Sequence, residues 1–167
     1  GKPLTFELKN GLKVMVVENH KLPRVSFSLT LDNDPYTQGN KKGVAEMTST
    51  LLGSGTSKIS KTAFNEEVDF LGANINFGSN GASASTLSKY SGRVLELMAD
   101  GALNPNFTQS EFDKEKEKLI EGLKANEKSV SAVAKRVVDV LTYGKNHPSG
   151  EYLSEATLKN VTLEEVK

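Results

Sequence analysis

The chain holds two histidines, His20 and His147, and no cysteine. Zinc sites gather three or four His, Cys or carboxylate ligands, commonly at short spacing. These two imidazoles stand far apart, with no His or Cys nearby, and read as surface or structural residues. Cysteine-free composition also removes disulfides and thiolate nucleophiles. Gly53-Ser54-Gly55 places a serine between glycines, but it lacks the full G-x-S-x-G pattern and follows a helical stretch rather than a strand. It reads as a helix stop. No glycine pattern after a strand matches a phosphate cradle. Glu111, Asp113, Glu115, Glu117 and Glu121 interleave with Lys114, Lys116 and Lys118. That pattern fits a solvated helix face laced with ion pairs better than a carboxylate site. Residue types and spacing alone therefore reveal no active site.

The elements that would position any site are easier to read. The chain has 167 residues, the size of one domain; 37% are hydrophobic and 25% charged. Basic and acidic residues number 21 each, a balance that argues against a general nucleic-acid surface. No apolar run reaches the roughly 18 residues of a membrane-spanning helix. Thr5–Leu8 and Leu12–Val17 flank Asn10-Gly11 and predict a hairpin. Val25–Leu31 alternates apolar and polar residues and predicts a half-buried strand. Asp32–Lys42, with Pro35 and Gly39, predicts a loop.

Helical spacing follows from Gly43 to Leu52 and from Lys61 to Leu71, with Gly72 as a stop. Asn74–Phe77, the turn Ser79-Asn80-Gly81 and Ala82–Leu87 predict a second hairpin. Helices are then predicted around Val94–Leu103, from Glu111 to Lys124 with Ser110 as N-cap, from Ser131 to Tyr143, and from an N-cap at Thr162. This order predicts an α+β fold in which helices layer on one face of a sheet, as a single domain over residues 1–167.

Five segments, in order, resemble one family. Gly43-Val44-Ala45-Glu46-Met47-Thr48-Ser49-Thr50-Leu51-Leu52-Gly53-Ser54-Gly55-Thr56 is similar to the G-L-A-H-F-L-E-H-M-L-F-K-G-T helix of the inverted-zincin peptidases, the pitrilysin, insulinase and mitochondrial processing peptidase family (M16). Leu8–Val14 resembles its L-x-N-G-L-x-V hairpin, and Phe70–Asn76 its L-G-G-x-x-N strand entry. Val94–Asp100 with Asn104-Pro105-Asn106-Phe107 resembles its L-x-L-x-x-D…N-P-x-F segment, and Leu141–Pro148 its L-x-Y-G-x-x-H-P loop.

The resemblance implies a two-layer metallopeptidase-like domain that continues past the Thr162 helix into another strand, leaving a sheet edge or apolar strip exposed in this chain. It also locates a missing catalytic apparatus. Active members bind zinc through two His at i and i+4, with a Glu before the second as general base. Here those positions hold Glu46, Thr50 and Ser49, and the position of the third ligand holds Gly122. A hydroxyl is a poor base near neutral pH, and one carboxylate is a poor zinc site. The expectation is a catalytically inactive domain with no metal and no cofactor. Its partner would be a homologous peptidase domain or subunit with an intact zinc site, and together they would complete a peptidase chamber. In active members the strand after L-G-G pairs with extended peptide substrate, so Asn74, Asn76 and Phe77 are the candidate peptide-binding residues, although Phe77 departs from the small residue usual there. Alternatives are a free-standing peptide-binding or scaffold domain, or a zinc peptidase with an atypical site. The expected location is the periplasm or cell envelope of a bacterium.

Overall fold

The computed structural model describes residues 2–167. Asn10-Gly11 turns β1 (Leu4–Glu7) into β2 (Lys13–Val16), in antiparallel register with Leu4 opposite Val16. β3 (Arg24–Thr30) is followed by a loop and a short 3-10 turn that leads into α1 (Val44–Leu52) and α2 (Lys61–Phe70). A second hairpin, β4 (Asn74–Gly78) and β5 (Gly81–Leu87), precedes α3 (Ser91–Leu103), α4 (Gln109–Asn126), α5 (Val130–Tyr143), α6 (Glu155–Lys159) and α7 (Leu163–Val166). Helices and strands are mixed as the α+β expectation requires.

The strands form two sheets. β5 lies between β3 and β4, all antiparallel, while β1 and β2 pair only with each other. In β5 the alternation of Ala82, Ala84 and Thr86 with Ser83 and Ser85 buries one face. Small alanines there admit Phe27 and Phe77 from the flanking strands. Phe64 and Leu71, Val94, Leu97 and Met98 from the α2 and α3 regions complete this first core. A second core collects Met47 and Leu51 of α1, Phe112 of α4, and Leu158, Val161, Leu163 and Val166 of the C-terminal segment. The layer of helices on a sheet is thus one half of the packing. The other half is a helical cluster built around α1.

Several local expectations need correction. The α4 N-cap is Thr108, whose hydroxyl accepts from the Glu111 amide, because the helix begins one residue before Ser110. Likewise Ser129 caps α5, which starts at Val130. The Ser154–Lys159 turn, closed by a capping box between Ser154 and Thr157, was not predicted; it is too short for helical periodicity to show. The charged face of α4 is not uniformly solvated either. Glu115 is buried, and its carboxylate takes Lys61 at 3.0 Å and Lys118 at 2.9 Å.

Apolar side chains are exposed on several elements, most densely on the first hairpin and on α5. Leu4, Phe6, Met15 and Val17 are exposed on and beside the first hairpin, and Val130, Val133, Val137, Val138 and Leu141 on α5. An isolated two-stranded ribbon has little stability of its own.

Packing at the α3–sheet contact leaves no room at Gly101. A Cβ there would lie 2.5 Å from Cζ of Phe77. Gly101→Ala should therefore destabilise the protein by about 1–3 kcal/mol through overpacking. Urea denaturation of Gly101→Ala, Phe77→Leu and the double variant should show the alanine better tolerated in the Phe77→Leu background. Additive effects would contradict this contact.

Hydrogen bonds from Arg93 hold the Glu67 carboxyl below its usual range. For Glu115, burial pushes the pKa up, but the Lys118 and Lys61 ammonium groups more than offset it and the net shift is downward. Carboxylates with folded-state pKa values below their unfolded ones stabilise the fold above the unfolded pKa, and that contribution fades as pH falls through the folded value. The urea midpoint should be flat from neutral pH down to about 5 and should fall below that. Glu115→Gln should flatten part of the acid limb.

Candidate functional site

The four positions that would carry catalysis lie on two helices. Within α1, Met47 and Leu51 are one turn apart and both are fully buried in the second core. That face fixes the helix. Glu46, Ser49 and Thr50 share the spacing i, i+3, i+4 on another face, where each is half-buried.

Each of these three side chains is engaged within the chain. Glu46 Oε1 lies 2.9 Å from the Lys42 ammonium, one turn earlier, while its Oε2 is buried and accepts no hydrogen bond from the described residues. The Ser49 hydroxyl lies 2.8 Å from the carbonyl of Ala45, to which it donates, and accepts from the Ser79 amide at 2.9 Å. The second bond reaches the turn between β4 and β5. It ties α1 to the sheet. Thr50 donates to the carbonyl of Glu46 at 3.0 Å, and Thr48 makes the same back-bond to Val44 at 2.9 Å. Gly122 is on the exposed side of α4, and a Cβ there would meet open space. Nothing steric demands a glycine at that position.

This donor set does not fit zinc. It consists of one carboxylate already paired with a cation, two hydroxyls already bonded, and a residue without a side chain. Among the described residues no three His, Cys, Asp or Glu side chains converge as a metal site requires. His147 stacks on Tyr143, with ring centroids 5.2 Å apart, and its Nδ1 accepts from the Ser149 amide at 3.0 Å. His20 is exposed beside Glu18.

The N-terminal turn of α1 is held by residues that sequence reasoning missed. Helices leave their first amides without helical acceptors. Here Gln38 Oε1 accepts from the amides of Gly43, at 3.2 Å, and Ala45, at 3.1 Å. Gln38 is in turn fixed by Glu151, whose carboxylate accepts from the amides of Gln38 at 2.9 Å and Gly39 at 2.7 Å. Gly43 has φ +131°, and a Cβ would lie 2.9 Å from both Leu153 and Leu158. Lys41 pairs with Glu165, and Asn160 donates to the carbonyl of Asn40. No local pattern points to a clasp between residues more than a hundred positions apart. Glu115 did leave a signal: with Phe112 and Leu119 it continues the 3–4 spacing of a buried face.

The opposite end of α1 is also locked. Asp100 takes hydrogen bonds from Asn104 and Thr56, which hold its carboxyl below the usual range. Thr56 forms a bridge with Pro105, and the Ser57 amide donates to the Asn104 carbonyl at 2.7 Å.

The candidate peptide-binding strand is β4, one of the two edge strands of its sheet. Asn74 and Asn76 are exposed on one face, opposite Ser85 and Ser83 of β5. Phe77 points the other way, into the first core, with its ring centroid 6.4 Å from that of Phe64. A strand alternates its side chains, so Phe77 cannot share a face with Asn74 and Asn76. Its side chain is a core residue, and only its backbone lies along the strand edge.

The family model for insulinase (peptidase family M16) matches residues 14–155. The chain belongs to this family. Among solved structures, an M16 peptidase inactive domain from Pseudomonas fluorescens is similar at 24% identity and a TM-score of 0.86, covering 99% of this chain and 42% of that one. A protease from Helicobacter pylori is similar at 21% identity and a TM-score of 0.83, covering 99% and 41%. At these identities the likeness shows the M16 fold. This chain spans about two fifths of the length of either structure. No curated protein matches it.

The hydroxyls of α1 can be ranked by what they hold. Ser49→Ala leaves the Ser79 amide without its acceptor and should cost about 1–3 kcal/mol. Thr50→Ala removes only a back-bond within the helix and should change stability by less than about 0.5 kcal/mol. Chemical denaturation of the two variants tests the ranking, and equal losses would contradict it.

Proposed function

We propose that this chain is a non-catalytic M16 domain that pairs with a homologous domain or subunit carrying an intact H-x-x-E-H motif, and so completes a peptidase chamber. The observation that carries this reading is the state of the Ser49 hydroxyl. At the position of the general base stands a group that cannot take a proton from water near neutral pH, and its oxygen already bonds Ala45 and Ser79. The Lys42 ammonium beside Glu46 adds a positive charge where a metal cation would have to sit. The description of the Pseudomonas fluorescens structure as an inactive domain supports the same reading. On this reading residues 1–167 are part of one peptidase-like domain.

The contribution to substrate is a strand. β4 presents Asn74 and Asn76 outward at the margin of its sheet, and main-chain pairing with an extended peptide there needs no catalytic group. The partner domain supplies zinc and base; this domain supplies wall and peptide contact.

Metal analysis after zinc exposure and desalting should find near-zero zinc per chain, and the chain alone should not hydrolyse peptides. Mixing with a homologous H-x-x-E-H domain from the same source should produce a complex that cleaves peptides faster than that domain alone. One tightly held zinc per chain would overturn the inactive reading. Absence of any complex would favour a free-standing peptide-binding or scaffold domain.

A further inference from the structure

We infer that the groove between α5 and the 145–152 segment docks an acidic amphipathic helix, contributed by the homologous peptidase domain. The inference rests on the pairing proposed above and names the surface and the chemistry of the contact.

α5 carries a seam that the described residues leave uncovered. Val130, Val133, Val137 and Val140 recur at intervals of three, four and three, the spacing by which one helix packs along another. Leu141 widens the strip. No residue of α5 is buried: Val130, Val133 and Val137 are exposed, at 83%, 41% and 51%, and Val140 is half-buried. A helix with so regular an apolar seam normally buries it.

The seam is one wall of a concavity. Tyr152 and Lys145 form the opposite side, with the Arg136 guanidinium 5.8 Å from the Tyr152 ring, and the groove encloses about 370 Å³. Both ends of α5 are set before any partner arrives. Ser129 caps the first turn, and Gly144, at φ +83°, ends the last. A preformed groove spares the ordering cost of binding.

Charge selects the occupant. Arg136 and Lys145 border the groove, and neither makes an ion pair among the described residues. The acidic group of α5, Asp139, is already bonded to Lys135 at 2.7 Å. The rim is therefore cationic around an apolar floor. A second copy of this chain docking face to face would bring one cationic rim to another, since a two-fold contact uses the same patch twice. A helix with an apolar seam flanked by carboxylates meets no such repulsion and pairs with both cations.

The test uses the 167-residue chain and two labelled designed helices. Both have Leu at the a and d positions; one has Glu and the other Lys at the flanking positions. Fluorescence anisotropy should show the Glu helix binding at least about tenfold more tightly at low salt, with the gap closing as salt rises. Val137→Glu should abolish binding; Val137 is half exposed, so the variant should retain its circular dichroism and urea midpoint. Arg136→Glu combined with Lys145→Glu should reverse the preference. Equal binding of the two helices, binding of neither, or binding unaffected by both variants would overturn the inference. Light scattering that finds a dimer abolished by Val137→Glu would also overturn it, in favour of self-association. A complex with the H-x-x-E-H domain that withstands both variants would sink the groove assignment and leave the pairing intact. No complex, with the Glu helix still bound in the groove, would sink the pairing and support the groove's chemistry.

Discussion

The first turn of α1 needs acceptors for its free amides, and the acceptor it finds just before the helix is held in place from the far end of the chain. Gln38 caps two of those amides, and Glu151 fixes the backbone that presents Gln38. Gly43 then lets Leu153 and Leu158 approach to a distance at which any side chain would collide. Glu151 is a charged acceptor at two backbone donors, the stronger class of hydrogen bond. The position of α1 thus depends on residues 151–167, and so does the second core, where Met47 and Leu51 meet Leu158, Val161, Leu163 and Val166. A chain ending before Glu151 would lose the clasp together with the packing of Met47 and Leu51 against Leu158, Val161, Leu163 and Val166.

Given that frame, the catalytic positions become ordinary helix surface. An active site needs side chains left free to hold a ligand at its own geometry. On α1 the hydroxyls of Thr48, Ser49 and Thr50 instead return to carbonyls one turn earlier, and Ser49 also joins the helix to the β4–β5 turn. Glu46 pairs with Lys42. Polar groups on a half-buried helix must find partners, and small hydroxyls find them within the helix itself. The same face that would present a metal now fastens the helix to the sheet.

Much of this was legible in the residues. Period-two alternation located β3, and 3.6 periodicity located α1 through α5, because both patterns come from burying one side of one element. What escaped were features set by contacts between distant segments. The isolation of β1 and β2 from the main sheet cannot be read from either hairpin. The 3–4 spacing with Phe112 and Leu119 marks Glu115 as facing inward, but its partner Lys61, on another helix, is visible only in the fold. Phe77 was grouped with Asn74 and Asn76 by adjacency, although strand alternation already separated them. The site positions themselves came from resemblance rather than spacing, since Glu46, Ser49, Thr50 and Gly122 share no chemistry that would bring them together.

The motif of this family therefore divides into two parts with different physical duties. Gly43, Leu51 and the Thr56–Asp100–Asn104 lock set where the helix lies, and each is held by sterics or hydrogen bonds that a replacement would break. The ligand and base positions chiefly set what the helix can do. They project from the face that the core does not use, so a side chain bonded only within its own helix, such as Thr50, can change at little cost in stability, whereas Ser49 also holds the Ser79 amide. Gly122 makes the point most simply. A side chain there would extend into open space, so packing neither requires the glycine nor forbids a carboxylate. A domain of this fold can lose its chemistry without losing its shape. Under the pairing proposed above, shape is what a chamber wall and a peptide-pairing strand would require.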